Sequence, residues 1–186
     1  MAEAQMDAPA LVADLHNGQT KEPENGSLKA GHEVKYRQLR PHLIVQAPKA
    51  SEAIEFYKKA FGALEIVRTH HPKRKADQEH PLILHAHLKI GGAELMICEE
   101  SDEDGPTVKS PPALHGTSVI LHLETSDVDV AFSRAIEAGA QVTEEITNQP
   151  WGQRYGKLSD PFGFVWSIAT PIKEFVYKEA SSTIEV

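Results

Sequence analysis

The stretch Gln149–Ile168 reads QPWGQRYGKLSDPFGFVWSI and predicts a β-hairpin near the end of the chain. Polar and apolar residues alternate over Arg154–Ser159, and a second run follows over Phe164–Ala169. Between the two runs stands Asp160–Gly163, where proline and glycine supply the backbone angles of a tight turn. An earlier stretch, Ile83–Cys98, has a similar shape, and an amphipathic helical segment precedes both. The chain therefore carries one pattern twice.

The first copy of this pattern predicts a β-α-β-β-β unit. A strand over His42–Ala47 is followed by Ser51, the expected N-cap of a helix that runs through Phe61. Gly62 should end this helix, because glycine adopts the left-handed conformation of a helix C-terminus at little steric cost. The strands that follow are Leu64–Thr69, Ile83–Ile90 and Ala93–Cys98, the last two joined at Gly91-Gly92.

The second copy restarts after a proline-rich linker. A strand over Ser118–Glu124 leads to Ser126 or Asp127, either of which can cap the next helix, and Gly139 should end that helix. The residues expected to point inward are Val128, Phe132, Ala135 and Ile136. The strand Gln141–Thr147 and the opening hairpin complete the unit. The two helix-ending glycines lie 77 residues apart, which indicates an internal repeat.

The pattern predicts an α+β fold in which two βαβββ repeats pair into a curved mixed sheet around a cleft, with the helices outside. The expected segments are a disordered N-terminal tail (1–37), one domain (38–172) with repeat one (40–99), a linker (100–116) and repeat two (117–170), and a C-terminal tail (173–186). The prolines of the linker argue against any regular element in it.

Composition limits the classes of function. The formal net charge of −8 argues against a basic face for nucleic acid. The single cysteine, Cys98, excludes an intramolecular disulfide and favours a reducing compartment. No apolar run approaches the roughly 18 residues of a membrane helix, and the N-terminus lacks a signal-peptide core. We therefore expect a soluble, cytoplasmic protein that binds neither nucleic acid nor membrane.

Four motifs resemble those of the vicinal oxygen chelate superfamily, which includes glyoxalase I, bleomycin-resistance proteins and extradiol dioxygenases. They are AIEFYKKAFGA (53–63), LKIGGAELMI (88–97), LHLETSDVDVAFSRAIEAGA (121–140) and QPWGQRYGKLSDPFGFVWSIA (149–169). The chain is most similar to the PhnB-like, glyoxalase-like branch, and it shares PKRKxDQE (72–79) with plant members. The resemblance implies the two-repeat fold and homodimerisation, whereas functions on this scaffold differ among members.

The resemblance also implies four metal-ligand positions on inward-facing strand residues. The first, usually histidine, falls on His42 and matches. The others, usually Glu, His and Glu, fall on Met96, near Ile120 and on Ser167, and do not match. A thioether and a hydroxyl are weak ligands for the zinc, nickel, manganese or iron of such sites. No carboxylate stands ready to leave a metal and act as the base of the isomerase reaction.

Strand parity leaves a non-standard metal site open. A two-residue turn at Gly91-Gly92 would place His87 opposite Met96, and His85 opposite Cys98. Together with His42 and His122, these side chains form a set that could bind zinc, nickel or copper. The alternative, which the missing carboxylate favours, is that the histidines form hydrogen bonds to a ligand or to the backbone. Cys98 is then a buried small apolar residue, and Lys89 and Glu94 form a cross-strand ion pair.

An aromatic loop lies just before the last hairpin or at its start. Trp151, Arg154 and Tyr155 could close on a planar or apolar ligand, with Arg154 available for a carboxylate or phosphate. The alternative is core packing of Trp151 against its own hairpin. Trp166 alternates with Ser167 and should point into the helix layer as a structural residue.

These features predict a glyoxalase-like protein that binds small molecules and lacks standard glyoxalase I activity. The alternatives are a metal-dependent lyase or isomerase that uses His42 and non-standard ligands, and a scaffold with a vestigial cleft. Catalytic residues are not assigned, and the candidates are His42 and His122. The expected ligand-binding residues are Ile44, His87, Met96, Ile120, His122, Trp151, Arg154, Tyr155 and Ser167. No cofactor is assigned beyond a divalent metal at His42.

Overall fold

The computed structural model describes residues 35–72, 81–101 and 108–172. The predicted tails therefore lie outside the described residues, apart from positions 35–37, and so does most of the PKRKxDQE segment. Among the residues that are described, none of the helices is long and apolar enough to cross a membrane.

The described residues form two successive β-α-β-β-β units, which confirms the predicted α+β class and the internal repeat. The first contains β1 (His42–Val45), α1 (Ala50–Phe61), β2 (Leu64–His70), β3 (Ile83–Ile90) and β4 (Ala93–Glu99). After α2 (Pro111–Leu114), the second contains β5 (Ile120–Glu124), α3 (Val128–Glu137), β6 (Gln141–Asn148), β7 (Gln153–Ser159) and β8 (Val165–Pro171). Each unit forms one four-stranded mixed sheet, in the orders β1-β4-β3-β2 and β5-β8-β7-β6.

The core lies where the two helices pack against each other and against their sheets. Trp166 of β8 is 1% exposed, and its ring centroid lies 4.5 Å from that of Phe61 and 5.4 Å from that of Tyr57, both in α1. This contact joins the two repeats and confirms the structural role predicted for Trp166. The helices thus cover one face of each sheet, and the opposite face, called the open face, is left for other contacts.

Helix α1 begins through a contact from elsewhere in the chain and ends at its own glycine. The predicted N-cap at Ser51 is wrong, because the helix begins at Ala50 and Lys49 occupies the cap position without a side-chain hydrogen bond. Glu99 of β4 instead accepts a hydrogen bond of 2.9 Å from the Ala50 N–H. Gly62 ends the helix with φ of 66°, as predicted.

In helix α3 the open choice of cap is resolved in favour of Asp127, whose side chain accepts a hydrogen bond from Val130 N at 3.0 Å. Val128, Phe132 and Ala135 are buried as predicted. Ile136 is largely exposed, so the prediction that it points inward is wrong.

The linker contains a helix, contrary to prediction. Pro111 and Pro112 occupy the first positions of α2, where a missing backbone N–H breaks no intrahelical hydrogen bond. The helix packs against the turn of the last hairpin, since a Cβ built on Gly163 would lie 3.0 Å from Pro111. The linker therefore supports the Asp160–Gly163 turn, in which Gly163 has φ of 89°.

Candidate functional site

On the open face of the first sheet, the strand register places His42 beside Met96 and His87 opposite Met96. Glu94 approaches His87, with 2.9 Å between Glu94 Oε2 and His87 Nε2, but the two atoms are not aligned for a hydrogen bond. Arg40 also pairs with Glu94 at 2.6 Å and holds the pKa of that carboxyl below its ordinary value by hydrogen bonding. The carboxylate on this face is therefore held by an arginine.

The predicted ion pair between Lys89 and Glu94 is wrong. The two residues do stand opposite each other in the register of β3 and β4, as the turn at Gly91-Gly92 predicted. Glu94 nevertheless turns to Arg40, which precedes β1 and is remote in sequence. A guanidinium binds a carboxylate with more directed hydrogen bonds than a lysine ammonium does, and this favours the arginine.

On the open face of the second sheet, His122 stands level with Ser167, while Ile120 stands level with Val165. The first repeat has the same arrangement with His42 and Met96. His122, rather than Ile120, is thus the residue in register with Ser167. The Nδ1 atom of His122 and the Oγ atom of Ser167 share a hydrogen bond of 2.8 Å.

Two neutral tautomers of His122 are compatible with this contact. In the neutral tautomer that carries the proton on Nε2, the Ser167 hydroxyl donates to Nδ1 and Nε2–H faces Glu124, whose Oε1 lies 4.0 Å away. The other tautomer leaves Nε2 free to accept a proton. Ser167 is 2% exposed, and its hydroxyl is engaged with the His122 ring.

Aromatic side chains continue this face beyond His122. The rings of His122 and Tyr155 are within 23° of parallel with centroids 6.2 Å apart, and Trp151 stands at 76° to Tyr155 at 5.9 Å. Trp151 is 59% exposed, so it is not packed in the core, although its ring contacts Tyr155 of its own hairpin. Its Nε1–H donates to Gln153 Oε1 at 3.1 Å. The aromatic loop predicted from the sequence is present.

Arg154 does not lie on this face. It is the neighbour of Tyr155 in β7, and successive residues of a strand point to opposite sides of a sheet. Its Nε and Nη2 atoms donate to both carboxylate oxygens of Asp129 in α3, at 2.8 and 2.6 Å. The expectation of an arginine available for an anionic ligand is therefore wrong.

The residues of the expected metal site do not come together. Among residues 35–72, 81–101 and 108–172, no group of three or more histidine, cysteine, aspartate or glutamate side chains could hold a metal ion. His85 and His87 are neighbours on the first sheet with centroids 6.4 Å apart, whereas His122 belongs to the second sheet. These residues do not fit the divalent metal centre that the resemblance implies. His42 as a ligand stays a prediction.

A groove of about 380 Å³ runs between β1, α2 and β5. His42 lines it together with Ile44, so two of the predicted residues meet there. The polar residue Lys109 also lines it, and its Nζ atom pairs with Glu100 Oε1 at 3.0 Å. The remaining lining is mainly apolar and comprises Leu39, Pro41, Leu43, Pro111, Leu114, Gly116, Thr117, Ser118, Val119, Leu121 and Phe164.

Sequence reasoning missed three polar residues of the open faces: Arg40, Glu124 and Gln153. Strand parity could have found two of them, because Glu124 follows His122 by two residues and Gln153 precedes Tyr155 by two. Gln153 Nε2 donates to Glu124 Oε1 at 3.2 Å, which joins the imidazole end of the face to the aromatic loop. Arg40 precedes β1 outside any periodic pattern, and no signal in the sequence pointed to it.

Known proteins resemble this chain over most of its length. Uncharacterized protein Mb0911c of Mycobacterium bovis is 41% identical over 137 residues, which cover 73% of this chain and 84% of that protein. Uncharacterized protein At5g48480 of Arabidopsis thaliana is 36% identical over 147 residues, covering 78% and 86%. The X-ray structure of the Arabidopsis thaliana At5g48480 gene product superposes with a TM-score of 0.57, at 29% identity, covering 73% of this chain and 99% of that one.

Two domain families match in sequence order, one on each repeat. Residues 42–100 match the family described as Glyoxalase At5g48480-like, N-terminal domain, and residues 120–169 match the corresponding C-terminal domain. The matched ranges coincide with the two β-α-β-β-β units and leave the linker between them. The chain therefore belongs to the glyoxalase At5g48480-like family.

Proposed function

We propose that the protein binds a small organic molecule between its two repeats and does not follow the metal-chelating route of glyoxalase I. The observation that carries the proposal is the pairing of the ligand positions. His42 stands level with Met96, and His122 stands level with Ser167. Neither pair contains a carboxylate that could hold a metal and then serve as the base of the isomerase reaction.

The groove between β1, α2 and β5 supports ligand binding. Its volume of about 380 Å³ lies within the roughly 300–1,000 Å³ of small-molecule sites, and its lining is mainly apolar. His42 supplies a polar contact at one side. A neutral, largely apolar ligand suits this chemistry.

A neutral fluorescent probe, N-phenyl-1-naphthylamine, tests the groove. We expect saturable fluorescence enhancement, which Val119→Glu should weaken about tenfold or more because it places a charge in an apolar groove. The matched control is Val130→Glu in α3, outside the groove, since the two valines are 59% and 63% exposed. Equal binding by both variants would locate the probe elsewhere and count against the groove.

Metal analysis tests the second half of the proposal. Protein purified without added metal should carry no stoichiometric divalent ion, and the hemithioacetal of methylglyoxal and glutathione should not turn over when zinc, nickel, manganese or iron is added. A bound ion that is lost in His42→Ala would overturn the metal-free proposal and revive the metal-dependent alternative. If neither probe nor metal binds, a scaffold with a vestigial cleft is the remaining interpretation.

One observation favours a second candidate, a lyase or isomerase that transfers protons without metal. The hydrogen bond between His122 and Ser167 orients an imidazole that is partly open to solvent. An imidazole held in this way can serve as a general acid or base. Hemithioacetal turnover without metal, lost in His122→Gln, would support this candidate over simple binding.

A homodimer in a cytoplasmic setting completes the proposal. Leu64, Ile66 and Val67 are exposed apolar residues on β2, the edge strand of the first sheet. Such edges are commonly covered by a partner. Ile66→Glu should shift the mass measured by light scattering from dimer to monomer, and a monomeric wild-type protein would refute the assignment. The single cysteine suits a reducing cytoplasm.

A further inference from the structure

Three rings on the second sheet form a surface that the groove does not include. We call it the aromatic corner and define it by His122, Tyr155 and Trp151, with Glu124 and Gln153 at its rim. The nearly parallel rings of His122 and Tyr155 form one side, and the indole of Trp151, at 76° to Tyr155, forms the other. The residues level with the first two on β8 are Ser167 and Ala169, both small and buried.

The loop that carries Trp151 is held by its backbone. Gln149 N–H donates to Gln153 C=O at 2.8 Å, and Gly152 N–H donates to Gln149 C=O at 3.0 Å. Gly152 has φ of 86°, a backbone conformation that residues other than glycine rarely adopt. The C=O of Gly152 accepts a further hydrogen bond from Ile172 at 2.8 Å. The indole is therefore presented by an ordered turn, which lowers the entropic cost of binding.

The charges around the corner favour a cation. Lys157 Nζ lies 5.7 Å from the Tyr155 ring centroid, but its charge is balanced by Glu144 at 2.7 Å, so this pair adds no net charge at the corner. Glu124 accepts a hydrogen bond from neutral Gln153 and approaches no closer than 4.0 Å to His122 Nε2. The negative charge of Glu124 is thus only weakly balanced by its neighbours, and it stands beside the electron-rich rings of Tyr155 and Trp151.

We propose that the aromatic corner binds a small flat organic cation, such as an N-alkylated or protonated heteroaromatic ring. The cation would lie against Tyr155 and Trp151 and face the carboxylate of Glu124, so that cation–π attraction and ionic attraction act together. This inference goes beyond the proposed function, because it assigns a cationic ligand to a surface that lies outside the groove.

The two tryptophans provide the measurement. Trp151 is 59% exposed and belongs to the corner, whereas Trp166 is 1% exposed and donates its indole N–H to Asp160. In a proton–nitrogen NMR titration with 1-methylnicotinamide, we expect the Trp151 indole signal to shift and saturate at millimolar concentrations while the Trp166 signal stays in place. Neutral nicotinamide, which has nearly the same shape, should bind about three- to tenfold more weakly.

Matched variants complete the test. Glu124→Gln removes one charge and keeps the shape of the side chain. It should therefore weaken the binding of 1-methylnicotinamide about three- to tenfold and leave the binding of nicotinamide unchanged. Glu137→Gln, at the end of α3, removes the same charge away from the corner and should leave the binding of both probes unchanged. Tyr155→Leu should abolish saturation, with the unshifted Trp166 signal reporting an intact fold.

Three results would overturn the inference: equal affinity for the two probes, a Trp151 shift that does not saturate, or no effect of Glu124→Gln. Each leaves the groove untouched, because N-phenyl-1-naphthylamine is neutral and its binding is judged by Val119→Glu. If the naphthylamine binds and 1-methylnicotinamide does not, only the cation assignment fails. If neither binds, the proposed function fails as well.

Discussion

At the scale of single residues, Asp160 joins the two repeats from inside the core. Its Oδ1 atom accepts hydrogen bonds from the N–H groups of Phe162 and Phe164, both at 2.9 Å. Its Oδ2 atom accepts from the Tyr57 hydroxyl at 2.8 Å and from Trp166 Nε1 at 2.9 Å. Burial raises the pKa of Asp160, and the four donors oppose that rise. The turn that identifies the second hairpin in the sequence therefore also anchors α1.

Asp160→Asn should destabilise the protein by about 2–3 kcal/mol. The amide replaces one acceptor oxygen with a donor that must face backbone N–H groups or the Trp166 indole, and an indole nitrogen cannot accept a hydrogen bond. Tyr57→Phe removes only one of the four donors and should cost about 1 kcal/mol. Urea unfolding at pH 7 measures both variants. Equal stability of the Asp160→Asn and Tyr57→Phe proteins would contradict this account of the turn.

At the scale of elements, the start of helix α1 depends on Glu99. One carboxylate oxygen accepts from Ala50 N–H at 2.9 Å and the other from Ile83 N–H at 2.6 Å, so this side chain caps a helix and holds the start of β3. Ser51, one residue into the helix, only accepts an exposed hydrogen bond from Arg68 at 3.2 Å. The cap is thus supplied across space by β4.

Glu99→Gln should cost about 1–3 kcal/mol, because one of two buried N–H groups then faces an amide NH₂. Ser51→Ala should stay within about 0.5 kcal/mol of wild type, as expected for an exposed residue away from a cap. Thermal unfolding by circular dichroism compares the two variants. A larger loss of stability in Ser51→Ala than in Glu99→Gln would restore Ser51 as the cap.

A second link between elements predicts a pH dependence. The carboxylate of Glu65 in β2 pairs with Arg68 at 2.7 Å and with Lys58 of α1 at 2.7 Å. Both contacts hold the pKa of Glu65 below its ordinary value, and the hydrogen bond with Arg68 contributes most. The folded carboxyl therefore binds its proton less tightly than the unfolded one. Its stabilising effect is complete above the unfolded pKa and is lost as the pH falls through the folded pKa.

Glu65→Gln should accordingly lower the free energy of unfolding at pH 7, by no more than about 1 kcal/mol for a partly exposed pair. At about pH 3 or below the variant and the wild type should approach each other. Urea midpoints at both pH values measure the difference, with Glu145→Gln on exposed β6 as the control. If Glu65→Gln lowers the free energy of unfolding by the same amount at both pH values, packing rather than charge accounts for the effect.

At the scale of the whole molecule, local patterns predicted the fold and part of the site. The alternation of β3 and β4 around Gly91-Gly92 was enough to place His87 opposite Met96, and this pairing is confirmed. The register of β5 against β8 is set by packing between segments that are distant in sequence. The sequence therefore could not decide whether Ile120 or His122 stands beside Ser167. The same limit hid the capture of Glu94 by Arg40.

The two repeats should unfold together, because their contacts are continuous. Phe61 packs on Trp166 at 4.5 Å, and Arg134 of α3 donates to the Lys59 carbonyl near the end of α1 at 2.6 Å. A core shared in this way favours one cooperative transition. In a Trp151→Phe background, Trp166 fluorescence and far-ultraviolet circular dichroism should therefore give superimposable urea curves. Phe61→Ala should lower the free energy of unfolding measured by either signal by the same amount, about 2–4 kcal/mol. Two separated transitions would show that each repeat folds independently.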